Sequence, residues 1–152
     1  MLEKYIIQKE FISEEDAKKL IGLDNATIEA EMIYIAPEYL KPKCLINEYS
    51  PNLNKVAKKE KIPCTLVYNE SDYDYLALRD SEILLPFLIS ISASAAYELM
   101  KYFVLRFFVD KKNLKIRIIN KNKRDGQYRK IEIKGDAYSA IEALRILQEE
   151  DE

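Results

Sequence analysis

The period of the apolar positions changes several times along this chain, and each change marks an element. In the C-terminal third, Leu114, Ile116 and Ile118 alternate with Lys115 and Arg117, the period-two pattern of a strand with one buried face. Residues 123–126 carry the Asp-Gly signal of a tight hairpin turn, and residues 129–134 return as a second strand. Gly135 and Asp136 open a helix in which Ala137, Ala140, Ile141, Leu144 and Leu147 recur at helical spacing. That helix is expected to cover Ile116, Ile118, Ile131 and Ile133, because a lone hairpin is marginal in water.

Upstream, Ser13 is placed to cap a helix running to Leu20, with Glu14, Glu15 and Asp16 at its positive end and a turn at Asp24 and Asn25. Residues 28–35 read as a strand. Residues 44–47 form a short apolar strand, Ser50 and Pro51 start a short basic helix, Pro63 stops it, and residues 64–68 form another apolar strand. Strand, helix and strand in this compass predict a βαβ unit with its strands parallel.

The middle of the chain is less polar. Residues 83–97 carry no charge and the apolar character continues to Val109, which predicts a long central helix starting near Ser81 or Pro86. The uncharged run is shorter than the roughly 18–20 residues of a membrane span, and Glu98, Lys101 and Arg106 then interrupt it. A buried helix is the preferred reading, and a peripheral membrane anchor at residues 83–97 is the alternative. The small residues from Ser90 to Ala96 let another backbone approach closely, which makes this stretch a candidate self-association face. The expected fold is one α/β or α+β domain over residues 1–152. An α/β half spans 1–80, and a central helix plus ββα half spans 81–152, around a small mixed sheet.

Composition narrows the chemistry. Hydrophobic residues make up 48% of the 152, enough for a core, but there is no histidine, two cysteines and three glycines. Imidazole-based catalysis and His-ligated zinc are excluded, as are the glycine-rich phosphate cradles. No catalytic residue, metal ligand or cofactor is assigned, and the reading leans away from an enzyme. The N-terminal residues lack a signal-peptide apolar core, and Cys44 and Cys64 are read as reduced, so a cytoplasmic location is expected.

Charge is divided unevenly. Residues 111–134 hold ten Lys or Arg against two acids, a local +8, while the rest of the chain holds 14 basic and 24 acidic residues, or −10. Strand periodicity would present Lys115, Arg117, Lys130 and Lys134 together. These four, with Tyr128 and Arg129, are the candidate contacts for an acidic protein or a nucleic acid. A single aromatic in the patch argues against base stacking. The competing reading has the cations guarding a sheet edge or docking on the chain's own acids.

Two further constellations stand out. Glu132-Ile133-Lys134 matches the second half of a D…(D/E)-x-K nuclease site, in which paired carboxylates hold a metal. The neighbouring strand, residues 114–119, offers no acid, so a metal-dependent nuclease or phosphodiesterase is the enzymatic alternative. Glu70, Asp72 and Asp74, interleaved with Tyr73 and Tyr75, read as a loop that would hold a hard cation weakly or grip a basic partner.

A long apolar helix followed by a basic hairpin (KIRIINKNKRDGQYRKIEIKGD) and a short helix (AYSAIEALRIL) resembles small accessory domains of bacterial conflict and defence systems. The resemblance covers residues 83–148 and transfers no functional residue. It implies a role in recruiting or joining effectors. Together these readings give a non-enzymatic cytoplasmic interaction or adaptor module.

Overall fold

Apolar runs bounded by prolines and charged turns break this chain into short elements. The computed structural model describes residues 5–22, 27–77, 82–122 and 124–150, the Ala93 side chain excepted. The turn expected at Asp24 and Asn25, the helix start at Ser81, and Lys123 lie outside these residues. In chain order the elements are β1 (Tyr5–Ile12), α1 (Glu14–Leu20), β2 (Ile33–Ala36), β3 (Cys44–Asn47), α2 (Ser50–Lys59), β4 (Cys64–Leu66) and β5 (Tyr73–Leu76). They continue with β6 (Ile83–Leu84), β7 (Phe87–Ser90), α3 (Ala93–Phe107), β8 (Leu114–Lys121), β9 (Tyr128–Gly135) and α4 (Ala137–Glu150). The architecture is mixed α/β.

The main sheet runs β1-β9-β8-β7-β2-β4, with β6 adding to β8 ahead of β7. It therefore draws strands from both halves of the chain. The β8-β9 hairpin forms as its alternation predicts. Ala137, Ala140, Ala143, Leu144 and Leu147 of α4 bury against Ile116, Ile118, Ile131 and Ile133. α2 and α3 extend the same core over Ile33, Ile35 and Leu88. On the other face α1 covers a smaller cluster that includes Ala17, Ile21, Tyr34, Ile89 and Ile119. Ser13 caps α1 as expected, accepting from the Asp16 amide at 3.0 Å.

Three expectations fail. First, residues 83–90 are strands. β6 and β7 both run parallel to β8, interrupted at Leu85 and Pro86, where proline has no amide to give a ladder. β7 lies between β8 and β2 and is buried on both faces, so it reads as a continuous apolar run that periodicity cannot tell from a helix. The helix begins only at Ala93, where the Ser92 hydroxyl accepts from the Ala95 amide at 3.2 Å. Second, Ser90 therefore belongs to the sheet and Ala96 to the core, so the Ser90–Ala96 stretch is not one continuous helix face. Residues 83–90, locked in the sheet, do not form an anchoring helix either. Among the described residues no helix is long and apolar enough to cross a membrane.

Third, β3 and β4 do not form the expected βαβ unit. β4 runs parallel to β2, and β3 runs parallel to β5 in a separate two-stranded sheet. β2 is buried at all four positions and belongs inside the main sheet, which leaves β3 to pair elsewhere. The parallel crossovers are instead β2 to β4 through α2, and β7 to β8 through α3. β2 is confined to residues 33–36 of the expected 28–35 stretch, and β5 occupies what read as a loop. β1 had no counterpart in the sequence reading.

Candidate interaction site

Opposed residues of antiparallel strands share a face, so the register of β1, β9 and β8 sorts the hairpin cations. One face carries the rows Ile6–Lys134–Lys115, Gln8–Glu132–Arg117 and Glu10–Lys130–Ile119. Lys115 Nζ lies 3.6 Å from Glu132, and Lys130 Nζ lies 3.8 Å from both Glu132 and Glu10. Lys134 meets Glu82 at 3.8 Å. Arg117 pairs with Glu38 in the interior, both side chains being close to fully buried. Lys115, Arg117, Lys130 and Lys134 each have a carboxylate of the same chain within ion-pair distance, and Lys121, further along the same face, lies over the Tyr128 ring at 6.0 Å, so much of the expected outward basic surface is a lattice of mixed charge.

Of the other two predicted contacts, Tyr128 shares this face, opposite Lys121, but lies buried beneath α1, and Arg129 leaves the face. Tyr128 is 3% exposed and belongs to the α1 cluster. Burial raises its phenol above the ordinary value, the Glu14 charge adding to the effect. Arg129, one residue along the strand, points to the opposite face, over the Phe11 ring and 3.4 Å from Asp125. Lys111, Lys112 and Arg124 are exposed. They sit at opposite ends of β8, about 25 Å apart by strand rise, too far to act as one patch. Glu132 faces two lysines rather than a second carboxylate, which removes the arrangement a D…(D/E)-x-K site needs. Among the described residues no three Asp, Glu or Cys side chains gather to hold a metal.

The Arg117 environment is a latch that the sequence reading missed. Arg117 Nη2 donates to Glu38 and, at 3.1 Å, to the Leu85 carbonyl. Asn47 Nδ2 donates to Glu38 and to the Leu84 carbonyl, both at 3.0 Å. Asn47 Oδ1 accepts from the Tyr49 amide at 3.0 Å. The two carbonyls at the β6-β7 interruption are thereby satisfied, and β3 is tied to the main sheet. The available signal was Asn47, a polar residue closing an apolar strand.

The tyrosines of the expected loop, Tyr73 and Tyr75, form an exposed aromatic cluster with Tyr68. Cys44 and Ile46 of β3 are buried and stand beside Tyr73 and Tyr75 of β5, so these rings hang from a rigid base at the margin of the small sheet. Tyr68 and Tyr73 meet edge-on at 5.0 Å, and Tyr73 and Tyr75 at 5.8 Å. Tyr73 is 40% and Tyr75 51% exposed. The turn before β5 is fixed by Asn69, whose Oδ1 accepts from the Ser71 amide at 3.2 Å and the Ser71 hydroxyl at 2.9 Å. The Tyr75 phenol is raised above its ordinary value, first by desolvation and next by Tyr73. Asp74 turns to the opposite face, 3.8 Å from Lys43, while Glu70 and Asp72 are exposed beside the row. The arrangement offers cation-attracting ring faces within an acidic surround. No family model, no curated protein and no solved structure matches the chain.

Proposed function

We propose that this protein is a non-enzymatic interaction module that receives a basic segment of a partner protein on the Tyr68–Tyr73–Tyr75 row. The observation that carries this reading is a row of tyrosines in edge-to-face contact, two of them held half-exposed on β5, with Glu70 and Asp72 exposed near them in the chain. Tyrosine supplies a large rigid contact area at low entropic cost and is enriched at interfaces. Lysine or arginine over such rings gains about 0.5–1 kcal/mol per contact at exposed sites, and more once desolvated. An adaptor role agrees with the accessory-domain resemblance of residues 83–148, in which an apolar helix does precede a hairpin and a helix, although it begins at Ala93. The acidic-partner reading through the hairpin is not carried forward, because Lys115, Arg117, Lys130 and Lys134 are paired with carboxylates of the same chain.

The test is fluorescence anisotropy with labelled Lys/Arg-rich and Glu/Asp-rich peptides. The basic peptide is expected to bind, and Tyr73→Ala with Tyr75→Ala to weaken it about tenfold, the loss of one to two ring contacts. Binding of the acidic peptide in preference, or unchanged affinity in the double variant, would overturn the proposal.

A further inference from the structure

β1 ends the main sheet, and among the described residues its outer side is the longest unpaired strand edge. All eight of its residues are in register with β9, from Tyr5 opposite Gly135 to Ile12 opposite Tyr128, without a bulge or a proline. The opposite edge, β4, is three residues long and follows Pro63 directly, a blunted edge of the kind that resists pairing. Among the described residues no strand pairs with the outer side of β1. Ile6 is 59% and Phe11 68% exposed, one on each face of the strand. Lys9, its only lysine, is already engaged by Glu150 of α4 at 2.9 Å.

We infer that β1 is a self-assembly edge, pairing antiparallel with β1 of a second copy about a two-fold axis through Gln8. The sequence of the strand selects this register. A two-fold axis normal to the sheet keeps each face continuous, so only residues of equal parity can oppose one another. Centring on Gln8 sets Tyr5 against Phe11, Ile6 against Glu10, and Ile7 against Lys9 of the other copy. It joins the exposed Phe11 ring to an aromatic partner and places no like charges opposite each other. Centring on Lys9 would set that lysine against itself. Centring on Ile7 would leave Phe11 beyond the paired region. The occupant is therefore a second copy, and the two sheets become one.

Sedimentation velocity of the full chain across a concentration series, combined with disulfide trapping, tests this. Opposed Cα atoms in an antiparallel pair are about 4.5–5.5 Å apart, within disulfide reach. Under mild oxidation Gln8→Cys should trap a covalent dimer, whereas Glu10→Cys, which would face Ile6 of the other copy, should trap several-fold less. Ile6→Glu should weaken the dimer by setting like charges opposite Glu10, and Ile6→Lys should not. A monomer at every concentration would overturn the inference. So would a dimer that Gln8→Cys fails to trap, or one that Glu10→Cys traps equally well.

Discussion

Cys64 opens β4 beneath the packing of α2, and burial pushes its thiol up from the ordinary 9.0 to about 12, with the Lys58 charge opposing more weakly. A thiol kept neutral by the fold and ionising at its ordinary value once unfolded leaves stability unaffected below pH 9. Stability then falls as pH rises towards 12, by at most about 1.4 kcal/mol per pH unit. Tyr49 and Tyr128, raised chiefly by burial, add to this only above their ordinary value of 10.0. Urea midpoints measured between pH 9 and 10 should therefore decline in the native protein and decline less in Cys64→Ala; equal slopes would contradict the assignment. Lys61 offers an independent test, since it ends α2 in the left-handed region at φ 58°. The Ile62 amide reaches the Ala57 carbonyl at 2.9 Å across this turn. A side chain there costs roughly 1–2 kcal/mol, part of which glycine returns through its freer unfolded state. Lys61→Gly should raise stability by about 0.5 kcal/mol in chemical denaturation, and a loss would show that the lysine side chain contributes more than its backbone strain removes.

At the scale of elements, the hydrogen-bonded group of Arg117, Glu38 and Asn47 joins β8, the end of β3 and the β6-β7 interruption. Removing one member of a buried ion pair leaves the other uncompensated at a cost of about 3–5 kcal/mol, whereas replacing both by apolar residues is often neutral. Glu38→Ala should destabilise on that scale in urea, and Glu38→Leu with Arg117→Met should recover most of the loss. A Glu38→Ala protein of native stability would show the latch to be idle. These links also mark the limit of what the pattern of residues disclosed. Alternation at Leu114, Ile116 and Ile118, the Asp-Gly turn, and the Ser13 cap act locally, and those elements form where they were expected. β7 was hidden because a strand buried on both faces has no period, and β1 because an edge strand exposes Ile6 and Phe11 alike. The pairing of β2 with β4 rather than β3 with β4 is a choice between distant partners that no local signal records. The site followed the same rule: the tyrosines were visible in sequence, but the strand that aligns them was not.

Across the whole molecule, the uneven charge of the chain resolves into neighbours. The +8 segment at residues 111–134 is set among acids from other elements, with Glu10 from β1, Glu38 from the chain after β2, and Glu82 ahead of β6. The pairs made by Glu10 and Glu82 are partly exposed and contribute at most about 1 kcal/mol each. The larger consequence is to weaken the field that would draw in a polyanion, the three acids bringing the local +8 down to +5. The strand edge at β1 and the tyrosine row on β5 then remain as separate surfaces, so self-assembly and partner capture can be lost independently. The claim beneath this picture is that Lys115, Arg117, Lys130 and Lys134 are engaged by carboxylates of the same chain. It is tested most directly by the anisotropy of a labelled DNA duplex titrated with the protein over a salt series. Neutralised cations predict no binding with the steep salt dependence of counterion release. Tight binding that weakens steeply with salt and is lost in Lys115→Gln with Lys130→Gln would contradict the account.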